Sequence, residues 1–274
     1  MTREDNNNQY NGLPESAMMT TGGHLEILRK MLFRIAGVIL LLGVIVFCFK
    51  KFTFGILLAP HNSDFITFKL IEQAVLALGY EFHFDSYDIP LISTELSAQF
   101  MTHISTSCYL AFLLSSPYIL FELFRFVSPA LYESEKRYSV IITIAIYFLF
   151  VLGLLISYFV IFPISFQFLA TYQVDESINN TITLSSYIST FTMLSLMMGI
   201  VFQLPIFAAL LAKMGMIDTQ LLKQYRRHAL VIITIIAAII TPSTDVFTLL
   251  LVTVPIYLLY ELSILVVKRI TRGI

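Results

Sequence analysis

Six apolar runs, parted by short charged stretches, fix what this chain can become. A helix crosses a bilayer with about 20 apolar residues. Residues 35–49, 95–121, 138–169, 186–212, 229–241 and 246–267 read as helices of that kind or shorter relatives of it. Of 274 residues, 57% are hydrophobic and 13% charged, with a mean hydropathy of +0.82; a soluble domain carries about 25% charged residues. The expected fold class is an all-α polytopic membrane protein with six transmembrane helices. Residues 1–22 read as a disordered, Asn-rich tail, and residues 23–270 as one six-helix membrane domain.

Orientation follows from Lys and Arg, which accumulate on the cytoplasmic side. With the N-terminus cytoplasmic, 14 of the 17 fall inside; Lys50, Lys51 and Lys69 alone fall outside. Both termini are therefore expected in the cytoplasm. A net charge of −1 gives no global signal for nucleic acid. Cys48 and Cys108 sit in apolar runs and are expected to be buried packing. The histidines are scattered singly, so no zinc site is expected.

Local signals refine the spans. Leu25, Leu28 and Leu32 share one face of an amphipathic segment over residues 23–34, expected in the headgroup layer before the first span. Residues 65–78 have helical periodicity but too much charge to cross, and are expected on the outer membrane face. Residues 81–85 alternate polar and aromatic, as a short extended piece would. Pro117 bends the second span, Pro163 marks the outer third of the third, and Gln203-Leu-Pro205 interrupts the fourth. The fifth and sixth are expected to be short. At 13 residues the fifth covers only about 20 Å, against a hydrocarbon core of about 30 Å.

Residues 117–137, P-Y-I-L-F-E-L-F-R-F-V-S-P-A-L-Y-E-S-E-K-R, carry the densest chemistry. Glu122, Arg125, Glu133, Glu135, Lys136 and Arg137 crowd one turn at the cytoplasmic surface. With H-L-E-I-L-R-K at 24–30, Y-F-V-I-F-P at 158–163, T-P-S-T-D-V-F at 241–247 and L-Y-E-L-S at 259–263, they occur in the order seen in one family. The chain resembles TatC, the polytopic subunit of the twin-arginine protein translocase, over residues 24–269.

The resemblance implies a receptor and core subunit that binds Arg-Arg signal peptides of folded precursors. It implies TatA- and TatB-type single-span partners, a homo-oligomeric complex, export driven by the proton-motive force, and a place in the bacterial cytoplasmic (inner) membrane. It implies no enzyme, no cofactor and no metal.

Glu135 is the expected recognition carboxylate, since a guanidinium fork needs a carboxylate partner. An exposed ion pair contributes only about 0–1 kcal/mol, so the site is expected to be a shielded pocket between this loop and the N-terminal helix. Phe126 and Pro129 are expected to shape it. The family places a glutamate where Ile27 stands, and Glu26 lies one residue earlier. Either Glu26 takes that role, or it pairs with Arg29 or Lys30 on the surface. Glu122 stands where the family often has Gln, and is a further candidate for the arginines.

Four polar residues lie in or beside the spans. Gln203, mid-helix, has to face protein, water or a partner helix. Thr241 is a candidate for docking a TatA- or TatB-type helix, Asp245 for the same turn or for a helix cap. Glu261 is functional by default as a membrane carboxylate, or pairs with a basic residue at a helix end. The alternative function class, an ion-coupled small-solute transporter, needs converging polar groups at mid-membrane, for which Gln203 and Glu261 are the main candidates.

Overall fold

The computed structural model describes residues 21–79, 90–127, 139–175, 180–241 and 245–272. The spans are α1 (Thr21–Cys48), α4 (Ala98–Val127), α5 with its continuation α6 (Ser139–Ile156, Phe162–Thr171), α7 with α8 (Leu184–Val201, Leu204–Lys213), α10 (Arg226–Ile240) and α11 (Val246–Arg272). Short α2 (Lys50–Leu57), α3 (Ile66–Ala77) and α9 (Thr219–Gln224) join them. Five spans are long and apolar enough to cross a membrane unaided; the sixth, α10, has 15 residues. α1 packs along α4, α5 on α7, and α11 against α8 and α10.

The amphipathic segment over residues 23–34 leads into the first span without a break, as one helix. No proline lies between Thr21 and Cys48, and the glycines there leave the helix unbroken. α10 is short as expected. α11 is longer than expected, at 27 residues, because its basic last turns continue the helix beyond the apolar run. Cys48 and Cys108 are free and exposed, not buried; they lie on faces turned away from the bundle. The expected extended piece at residues 81–85 lies outside the described residues.

Pro163 shapes the third span. Proline cannot donate to the carbonyl four residues earlier, here that of Phe159. The helix answers with a π segment, Ser157–Ile161, and restarts with Pro163 in the first turn of α6. The freed Phe159 carbonyl accepts a hydrogen bond from the Thr67 hydroxyl of α3. The expected membrane-face helix is thus tied to the bundle by a backbone group that proline left open.

Two more hydroxyls fix this outer cap: Tyr158 donates to the Ile56 carbonyl at 2.8 Å and Tyr187 to that of Leu57 at 3.0 Å. Asn180 Nδ2 donates to the carbonyls of Ala170 and Tyr172, closing the end of α6. Beneath lies an aromatic core of Phe162, Phe166, Tyr187 and Phe191, with T-shaped contacts at 5.0–5.1 Å. A two-residue parallel pair, Leu91–Ile92 with Ile182–Thr183, joins two outer segments.

The bundle is tightest at mid-membrane. A Cβ on Gly153 of α5 would lie 2.7 Å from the Met198 carbonyl and 2.9 Å from the Phe202 ring. A Cβ on Gly199 would lie 2.8 Å from the Phe150 ring. Two glycines on facing helices let α5 and α7 meet backbone to side chain. Just beyond, α7 breaks at Gln203 and restarts as α8, with Pro205 in its first turn.

Candidate functional site at the cytoplasmic ends of the first two spans

α1 and α4 run side by side, so the start of α1 and the end of α4 meet at the cytoplasmic face. This brings Arg34 of α1 beside Glu122 of α4, and the His24–Lys30 stretch continues α1 outward from there. Glu122 sits there, buried to 6% exposure. Its Oε1 accepts a hydrogen bond from the Tyr118 hydroxyl one turn back, at 3.0 Å. The same oxygen faces Nη1 of Arg34, from α1, at 3.7 Å. Arg125, three residues further along α4, is exposed, and Phe126 is half-buried.

Glu26 lies two turns before Arg34 on α1, about 12 Å along the axis. Its carboxylate is exposed and pairs with Lys30 at 2.9 Å, an i,i+4 contact. Ile27, where the family has its glutamate, is also exposed. Glu135, Pro129 and Glu133 lie outside the described residues.

The other candidates lie apart from this site. Gln203 Nε2 donates to the Ile146 carbonyl of α5 at 3.2 Å and to that of Gly199 at 3.4 Å, so its amide bridges two spans at the helix break. Thr241 is buried and donates to the Ala237 carbonyl at 3.0 Å, bonding back onto its own helix. Asp245 Oδ1 accepts the Thr248 backbone N–H at 2.6 Å and so caps α11. Glu261 pairs with Arg226, in the first turn of α10, at 2.7 Å, and accepts the Tyr257 hydroxyl at 3.3 Å. The helix-end basic partner is thus Arg226. Tyr260 closes the same joint by donating to the Leu222 carbonyl of α9 at 2.6 Å.

Sequence reasoning missed Arg34 as the partner of Glu122. The signal was available: each is a charge at the cytoplasmic margin of an apolar run, on consecutive spans. What the sequence lacks is the rotation that turns the two toward each other. Among the described residues no three His, Cys, Asp or Glu side chains group as a metal site.

Comparison with known proteins agrees with this architecture. The family model described as Sec-independent protein translocase protein (TatC) matches residues 23–255. A Sec-independent protein translocase protein TatC of Blattabacterium sp. subsp. Periplaneta americana is 35% identical over 245 residues, covering 88% of this chain and 92% of the relative. That of Helicobacter pylori J99 is 39% identical over 194 residues, covering 70% and 76%. A crystal structure of the twin arginine translocase receptor TatC superposes with a TM-score of 0.70 at 31% identity, covering 90% of this chain and 99% of that one.

Proposed function

This chain belongs to the TatC family, and from that premise we propose that it is the receptor and core subunit of a twin-arginine translocase in the inner membrane. In this role it binds the Arg-Arg signal peptides of folded precursors at the cytoplasmic ends of α1 and α4. The observation that carries the reading is a buried carboxylate, Glu122, near the cytoplasmic end of α4 and facing Arg34 of α1. Glu135, 13 residues further along the sequence, is the principal acceptor of the paired guanidinium groups, with Phe126 and Pro129 shaping the pocket. Glu26 contributes a second charge on the same face, or serves only its pair with Lys30.

TatA- and TatB-type single-span subunits are the proposed partners, in a complex holding several copies of this chain. A groove open to the membrane between the π segment and α11, lined by Val160, Phe247, Leu250 and Val254, suits one apolar helix. Thr241 and Asp245 border the outer end of that face. The transporter alternative is not favoured: the amide of Gln203 joins two helices, and Glu261 is paired at the cytoplasmic margin.

The test places a photocrosslinker at position 135 in native membranes and offers a precursor with Arg-Arg or with Lys-Lys. A crosslink that requires Arg-Arg supports the receptor site. Equal labelling makes the loop a general contact surface. No label from correctly inserted protein sinks the receptor reading.

A further inference from the structure

Glu122 is the one buried carboxylate among the described residues. A charge held away from water has to be paired, and Arg34 supplies the partner. The pairing is loose. A charge-assisted N–H···O bond closes to about 2.7–2.9 Å, whereas Arg34 stays 3.7 Å from Oε1. That oxygen already accepts from Tyr118, and among the described residues nothing donates to Oε2. The chain makes a much closer pair with the same chemistry elsewhere, Arg226 with Glu261 at 2.7 Å. The two partners also differ in exposure: the Arg34 side chain is 57% exposed and that of Glu122 8%. Arg34 can therefore swing into water at little cost, while Glu122 stays where it is.

We infer that Arg34 is an autoinhibitory residue, a tethered guanidinium that occupies Glu122 until an arginine of the signal peptide replaces it. This rests on the receptor reading above. An incoming guanidinium presents a planar fork and engages both carboxylate oxygens at once. It makes two short bonds where Arg34 makes one long contact, so exchange is favourable. A lysine ammonium is a compact point charge without the fork. It meets the same competitor and gains less by displacing it. Binding at Glu122 is thus an exchange: the resident arginine lowers the affinity of every cationic peptide by one factor, and the fork of an Arg-Arg peptide keeps it bound where a Lys-Lys peptide no longer is. When displaced, Arg34 returns to the cytoplasmic surface, already its main environment.

The experiment measures binding of fluorescent Arg-Arg and Lys-Lys signal peptides to the full chain in nanodiscs. The variants are Arg34→Gln, Arg34→Lys, Glu122→Gln and the double variant Arg34→Gln/Glu122→Gln. Removing the competitor in Arg34→Gln is expected to tighten Arg-Arg and Lys-Lys binding alike, by about fivefold, the scale of an exposed ion pair. The gain is common to both because a vacated site favours every ligand by one factor. Glu122→Gln weakens Arg-Arg binding, and in the double variant the gain from Arg34→Gln disappears.

Arg34→Lys retains a counter-charge for Glu122 and keeps the fold testable if Arg34→Gln does not insert. Its weaker hold on the carboxylate tightens both peptides by a smaller factor. Unchanged affinities in the folded Arg34 variants make Arg34 a structural counter-ion and overturn the inference. Equal binding of both peptides by the wild-type chain overturns the receptor reading itself, and this inference with it.

Discussion

At the outer end of the bundle, neutral hydroxyls donate to backbone carbonyls across elements; at the cytoplasmic end, charged side chains face each other across helices. Thr67, Tyr158 and Tyr187 each satisfy a carbonyl of another segment, above a dry aromatic core. Arg34–Glu122 and Arg226–Glu261 each join two spans through side chains that water partly reaches. The contrast is one of exchangeability. A backbone carbonyl held by a neutral hydroxyl offers no net charge for salt or another cation to compete for, so it stays bonded. A half-exposed ion pair trades partners with water, salt or another cation at little net cost. One end is built to stay closed and the other to be rearranged.

The comparison fails altogether if the middle is removed. Gly153→Leu drives a side chain into the Met198 carbonyl and the Phe202 ring. Overpacking of this kind costs about 3 kcal/mol or more, and the expected outcome is no monodisperse protein on size-exclusion chromatography in detergent. Next in size is the outer clamp. Tyr187→Phe leaves the Leu57 carbonyl without its donor and is expected to cost about 1–3 kcal/mol. Thermal unfolding should report a Tm below wild type by a decrement that salt does not change.

The cytoplasmic end gives the opposite response. Glu261→Gln removes a charge that Arg226 holds at 2.7 Å, at an expected cost of about 1 kcal/mol given its partial exposure. Wild-type stability should fall with added salt and that of the variant should not. Identical salt slopes for Tyr187→Phe and Glu261→Gln would erase the distinction between the two ends. The smallest effect is at Glu26, whose pair with Lys30 is worth about 0.2–0.5 kcal/mol. Exchanging the positions by Glu26→Ile with Ile27→Glu should leave Tm and Arg-Arg binding near wild type. A complete loss of binding, with Tm unchanged, would give Glu26 its own specific place in the site.

Much of this architecture is legible in the sequence because hydrocarbon imposes a single rule on length and polarity. The six spans, the break at Gln203–Pro205 and the short α10 all follow from apolar run lengths and proline. What escaped depends on rotation about helix axes. Run length does not say that Arg34 turns toward Glu122, or that Glu261 meets Arg226. The π segment escaped for a related reason: Pro163 signals a lost hydrogen bond but not whether the helix kinks, stops or widens. The bond from Thr67, nearly a hundred residues away in the chain, to the Phe159 carbonyl is equally invisible in the sequence. The parallel pair Leu91–Ile92 and Ile182–Thr183 is too short to leave a period. The recognition loop was legible only as a family pattern, since its charges carry no periodicity.

The shortness of α10 reaches beyond the protein itself. Fifteen residues rise about 22 Å, and the first turn is occupied by Arg226, Arg227 and His228. The surrounding lipid has to compress by several ångströms to meet it, at an elastic cost of a fraction of a kcal/mol per ångström. That deformation extends outward as a dimple around one side of the molecule. Two such dimples cost less merged than apart, so any other protein with a short span is drawn to this side before a single side chain touches. The bilayer itself then becomes the first element of assembly, and thicker membranes should gather these molecules more strongly than thin ones.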